Sequence, residues 1–127
     1  MKLNRSIFHI SILFFIIVTS CSKEKFEDRY DAKIQIDSIK QDTFIFANQY
    51  IYYDKVKVYF TVINNDNIDI HCYRYTVNAM TCDSAYFQIR ESHYNTVAAQ
   101  GKFHDSTKIG IGNSKAAYAR IDNLLFQ

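Results

Sequence analysis

From Lys55 to Ile63 apolar and polar residues alternate without a break. Val56, Val58, Phe60 and Val62 fall on one side, and Lys55, Lys57, Tyr59 and Thr61 on the other. A period of two is the signature of a half-buried β-strand. Asn64-Asn65-Asp66-Asn67 follows and reads as a turn, because Asn and Asp tolerate left-handed backbone and bond their own main chain. A second run, Ile68 to Ala79, starts with Ile68, Ile70 and Cys72 in phase, then changes to Tyr73, Tyr75, Val77 and Ala79. Such a slip predicts a β-bulge or a strand that passes from one sheet to another. Ala85–Arg90 alternates through Ala85, Phe87 and Ile89. Lys33–Lys40, Thr43–Tyr53, Thr96–Phe103 and Lys108–Ile111 are further strand candidates. The last segment fits two periods. Ser114 can cap a helix through Ala117, Ile121, Leu124 and Leu125, while Ala117, Ala119 and Ile121 alternate as a closing strand would, and the β-rich surroundings favour the strand. Short strands at this spacing predict an all-β, small antiparallel sandwich over residues 32–127.

The first twenty residues break this pattern. Lys2 and Arg5 precede Ile7–Val18, a twelve-residue run that is apolar except for His9 and Ser11. A helix needs about 20 apolar residues to span a bilayer, so the run is short for that. A positive start, a short apolar stretch and small residues before a cut define a secretory signal. Val18-Thr19-Ser20-Cys21 resembles the lipobox of bacterial lipoproteins. The resemblance implies that residues 1–20 are removed, that Cys21 carries diacylglycerol, and that a further acyl chain joins its new amino terminus. Two or three chains anchor stably, at roughly 0.8 kcal/mol per buried methylene. Ser22 replaces the Asp that resembles an inner-membrane retention signal, which points to the outer membrane. Residues 21–31 are charged and lack a hydrophobic period, as a solvated tether would be.

Removing the signal takes two of fifteen basic residues and none of thirteen acidic ones, so the mature chain balances at zero. A neutral domain has no electrostatic reason to seek nucleic acid. All ten Tyr and seven of ten Phe remain, with no Pro, no Trp and only three Gly. Aromatic and β-branched residues fit strands. Cys72 and Cys82, in an oxidising compartment, fit either a disulfide or two separate buried thiols.

Val58-Tyr59-Phe60-Thr61-Val62-Ile63-Asn64-Asn65, with a small-residue loop before a final strand, resembles an immunoglobulin-like β-sandwich of the FxLYD type found in bacterial envelope proteins. That resemblance implies a non-catalytic binding or assembly module. Tyr59 and Tyr86 lie opposite apolar strand faces, and Tyr73 and Tyr75 follow the phase slip, so these four are the candidate binding face. Its counterpart would be an envelope protein or a glycan. Asp37-Ser38-Ile39, Asp83-Ser84-Ala85 and Asp105-Ser106-Thr107 resemble the O-glycosylation acceptors of Bacteroides-like bacteria, which makes Ser38, Ser84 and Ser106 candidate acceptors. The same pairs also suit turns.

No catalytic or metal-binding spacing stands out, and no cofactor is expected. His71, His93 and His104 belong to no His-x-His or His-Glu-x-x-His pattern, and Gly110-Ile111-Gly112 lacks a third glycine and suits a tight bend. Two other readings fit the chain. One is a small lipoprotein inhibitor or immunity factor that blocks an envelope-targeting enzyme through a protruding loop. The other is a hydrolase, which would need a pocket holding a histidine and a carboxylate.

Overall fold

The computed structural model describes residues 30–47 and 49–127. Cys21 and the signal segment lie outside the described residues. Among the described residues six strands follow one another: β1 (Ala32–Ile45), β2 (Ile51–Asn64), β3 (Tyr73–Thr81), β4 (Tyr86–His93), β5 (Lys102–Ile109) and β6 (Ala116–Phe126). They form two antiparallel three-stranded sheets, ordered β1-β2-β5 and β4-β3-β6. The fold is an all-β sandwich, as the alternation predicts.

The core lies between the sheets. Val56, Val58, Phe60 and Val62 of β2 are fully buried and face Tyr73, Tyr75, Val77 and Ala79 of β3. Phe60 and Tyr75 meet edge to face, 5.2 Å between ring centroids. Phe87 and Ile89 pack against this core from β4, partly buried. The phase slip has a local cause. Ile70 pairs with Val97 outside the sheets. His71 N and Cys72 N then both donate to Gln127 O, at 2.7 and 3.1 Å. Two successive donors on one carbonyl mark a bulge-like irregularity, and it sets the four inward positions of β3. The Asn-rich turn forms around buried Asn64, whose Nδ2 donates to Ile68 O at 2.8 Å and Ala98 O at 3.1 Å.

Three boundaries differ from the sequence reading. Thr43–Tyr53 is not one strand; it contains the turn between β1 and β2, where Gln49 takes a φ of 62°. Thr96–Phe103 and Lys108–Ile111 are not separate strands. A loop occupies 96–101, and β5 runs unbroken through Asp105-Ser106. At the loop's end, a Cβ on Gly101 would stand 2.8 Å from Ala98 O, so glycine is needed there. The C-terminal segment is strand β6, paired along β3 from Tyr73↔Phe126 to Thr81↔Ala116.

Cys72 and Cys82 are not bridged. They flank the two ends of β3, roughly 30 Å apart at about 3.3 Å per residue. A disulfide needs Cα atoms about 5.5 Å apart. Cys72 is buried and Cys82 exposed.

Candidate functional site

β1 and β2 are longer than the sandwich that holds them. β5 stops pairing at Val56↔Ile109, whereas β1 and β2 stay paired through Thr43↔Tyr53, Phe44↔Tyr52 and Ile45↔Ile51. The ends of the two strands therefore overhang as a two-stranded ribbon. Its base is clamped by Gln41, whose Nε2 donates to Asp54 O at 3.0 Å and Ser114 O at 2.8 Å, while its Oε1 accepts from Ala116 N at 2.8 Å. Tyr53 N donates to Asn113 Oδ1 at 2.8 Å, which ties the second ribbon strand to the β5–β6 loop. Gly112, with φ of 70°, lets that loop bend back to the ribbon. At the tip, Gln49 N donates to Phe46 O at 2.9 Å and Phe46 N to Tyr50 O at 3.2 Å.

Past this clamp the ribbon is apolar and open to solvent. Phe44, Ile45, Phe46, Tyr50, Ile51 and Tyr52 are all exposed, Ile45 at 76% and Tyr50 at 74%. Between Asp42 and Asp54 the chain carries no charge. Cross-strand pairing puts Phe44 and Tyr52 on one face and Ile45 and Ile51 on the other, so both faces of the ribbon are apolar. Fully burying a side chain of this size contributes roughly 1.5–3 kcal/mol, and at 45–76% exposure about half or more of that contribution is unrealised. This exposed apolar patch makes the ribbon tip the candidate contact surface.

The proposed tyrosine face does not assemble. Tyr73 and Tyr75 are 0% exposed and belong to the core, in the inward phase that follows the slip. Tyr59 and Tyr86 are exposed, but on different sheets: Tyr59 on β2 beside Ser38 and Ser106, Tyr86 on β4 opposite Met80. Tyr59 lies under the Lys40 ammonium, 5.6 Å from its ring centre. The Tyr86 hydroxyl donates to Asn78 Oδ1. Of the candidate acceptors, Ser84 sits in the β3–β4 turn with φ of 69°, Ser38 follows the bulge in β1, and Ser106 is exposed within β5.

A second cluster, unread in the sequence, joins the edge strands β4 and β5. Asp105 Oδ2 accepts from the Tyr73 hydroxyl, from His93 Nδ1 at 2.5 Å and from Asn95 Nδ2 at 3.2 Å. Glu91 Oε2 accepts from Thr107 Oγ1 at 2.6 Å and from the Tyr75 hydroxyl at 3.1 Å. The same carboxylate oxygen lies 3.2 Å from His93 Nε2, and the Tyr75 oxygen 3.0 Å from that nitrogen. Burial disfavours the Asp105 carboxylate, but the bonds from Tyr73, His93 and Ser106 N outweigh it and hold its pKa below the usual value. Burial pushes both tyrosine hydroxyls well above their usual range, and their carboxylate neighbours add to the effect.

Chemically the cluster is closed on itself. The two carboxylates meet opposite nitrogens of one imidazole, so they cannot share a cation with it. Among the described residues no group of three His, Cys, Asp or Glu side chains is arranged to hold a metal ion. The hydroxyl nearest His93 Nε2 is that of Tyr75, whose raised pKa works against a nucleophilic phenolate. A strand phase with Phe103, Asp105, Thr107 and Ile109 on one side was the available signal for the cluster: polar residues in an inward phase imply buried partners.

Among the described residues no helix is long and apolar enough to cross a membrane. Comparison of the chain with known protein families, with curated proteins and with solved structures finds no match.

Proposed function

We propose that the protein is a lipid-anchored, non-catalytic binding module of the bacterial envelope that works through the tip of its β1–β2 ribbon. The observation that carries this reading is the eleven-residue uncharged stretch 43–53, hydrogen-bonded to the sandwich at its base and apolar on both faces. Anchorage rests on the Val18-Thr19-Ser20-Cys21 lipobox, and the envelope address on the signal that precedes it. The closed bonding of His93, with a buried tyrosine where a nucleophile would stand, supports binding over hydrolysis. The immunoglobulin-like resemblance of the β2 region agrees with a module of this type.

The inhibitor reading keeps a specific observation in its favour. A narrow, protruding hairpin is the shape that enters an enzyme cleft, and such a protein would use this same tip.

The test is photo-crosslinking in the native cell, with the reactive group at Phe46 or, as a control, at Tyr86. Adducts at Phe46 and none at Tyr86 are expected. Adducts at neither position, or only at Tyr86, reject the tip as the working surface. Mass spectrometry of the purified chain tests the anchor separately, since an unmodified Met1 terminus rules out processing at Cys21.

A further inference from the structure

We infer that the counter-surface of the ribbon tip is an anionic lipid membrane, and that the β1-β2-β5 sheet lies flat along it. This rests on the anchoring and tip-binding reading above and names what the tip enters.

The outward row Lys40–Lys57–Lys108 crosses all three strands, with Lys57 paired to Lys40 on one side and to Lys108 on the other. Like charges directly opposite one another destabilise a sheet. One counter-charge sits within the row, Asp42, at 2.6 Å from Lys57 Nζ. Lys33 and Lys102 flank Ile63 in a second outward row. With exposed Lys55 of β2 in the same outward phase, the face holds six lysines against Asp37 and Asp42, and Asp37 accepts from the Thr61 hydroxyl at 2.7 Å. The lysines are spread over the length of the sheet and form no compact patch. That distribution matches a plane of headgroup phosphates, which presents negative charge everywhere and demands no register.

Geometry accommodates the flat pose. β1 has 14 residues, so its start at Ala32 and its end at Ile45 lie roughly 45 Å apart. The anchored tether enters at the first end and the apolar ribbon lies at the second. Residues 21–31 reach at most about 37 Å when fully extended. A sheet standing upright on its anchored end would therefore hold the tip far from the bilayer. A sheet lying on its lysine face brings both ends down to the same plane.

The tip itself suits the interface. Phe44, Ile45, Phe46 and Ile51 supply apolar volume, and Tyr50 and Tyr52 have the amphipathic rings favoured at headgroup level. A ribbon with two open edges cannot enter the hydrocarbon deeply, because its unpaired backbone groups would be stranded there. Entry is therefore limited to the side chains of the tip.

The protein contains no tryptophan, so Phe46→Trp introduces a single reporter. The chain purified from membranes and carrying this change would be reconstituted into vesicles of equal phosphatidylglycerol and phosphatidylcholine, and into phosphatidylcholine alone. In the anionic vesicles the indole emission should shift to the blue and be quenched by brominated lipid. Neutral vesicles should show at most one-tenth of that shielding. A Tyr86→Trp control should stay open to acrylamide in both. Replacing Lys33, Lys40, Lys102 and Lys108 by Gln should lower the ratio of shielded to open indole at least tenfold, since each lysine contributes about a fivefold factor at such a surface. An indole that stays open to acrylamide in anionic vesicles overturns the inference, and so does equal shielding in neutral ones. Crosslinks from position 46 to protein alone overturn it in favour of a cleft partner. An acylated chain with an open indole leaves the anchor reading intact and overturns only this inference, whereas an unacylated Cys21 defeats the anchor reading and the flat pose with it.

Discussion

His93 and Asp105 join the two sheets at one edge of the sandwich: Nδ1 on β4 lies 2.5 Å from Oδ2 on β5. Those edge strands touch little otherwise, so this contact and the Glu91–Thr107 bond close the gap over Tyr73 and Tyr75. Asp105→Asn should cost about 2–3 kcal/mol by weakening three bonds to a charged acceptor, measured by urea or thermal unfolding. Loss below about 0.5 kcal/mol would show that the edge is held by packing alone.

The same carboxylate sets an acid dependence. Its pKa is lower in the folded protein than in the unfolded chain, so its stabilisation is present above the unfolded value of about 3.9 and fades as pH falls through the folded one. Thermal midpoints should drop below about pH 4, with a shallower drop in Asp105→Asn. Parallel acid limbs in the two proteins would count against this assignment.

Tyr73 and Tyr75 work in the opposite direction. Their hydroxyls bind protons more tightly when folded, so their contribution is whole below about pH 10 and is lost as pH rises beyond it. The domain should lose stability above about pH 10, and Tyr73→Phe with Tyr75→Phe should flatten that alkaline limb.

Phe60→Ala should destabilise by about 3–5 kcal/mol, because the ring is fully buried against Tyr75. Tyr59→Ala, one residue away and facing outward, should cost less than about 1 kcal/mol. Equal losses in chemical denaturation would reverse the facing of β2.

Alkylation of the native protein should modify Cys82 at once and Cys72 only after unfolding, since one thiol is exposed and the other buried at the far end of β3. Mass spectrometry of the alkylated chain distinguishes the two.

The sequence displays β2 clearly, because a strand buried on one face writes its alternation directly into residue type. The inward set of β3 was equally legible, and with it the burial of Tyr73 and Tyr75. Their hydroxyls do not mark a contact surface, because each finds a carboxylate inside the sandwich. The ribbon tip was hidden for the opposite reason. Asn48 is the one residue of turn character there, with no Gly, Pro or Asp beside it, and the flanking aromatic residues have strand character, so residues 43–53 look like a strand interior. Asp105-Ser106 misled in another way: a pair that suits turns lies inside β5 because Asp105 has partners across the gap.

Neither sheet is built from consecutive strands alone. β5 must return to β2 after β3 and β4 have been laid down, and β6 must return to β3 past β4 and β5. Pairings this distant along the chain require large loops to close before any contact rewards them, and such folds form in milliseconds to seconds rather than microseconds. Neither sheet can therefore close until residues 102–126 are present, because β2 and β3 each wait for a partner strand from that last fifth of the chain.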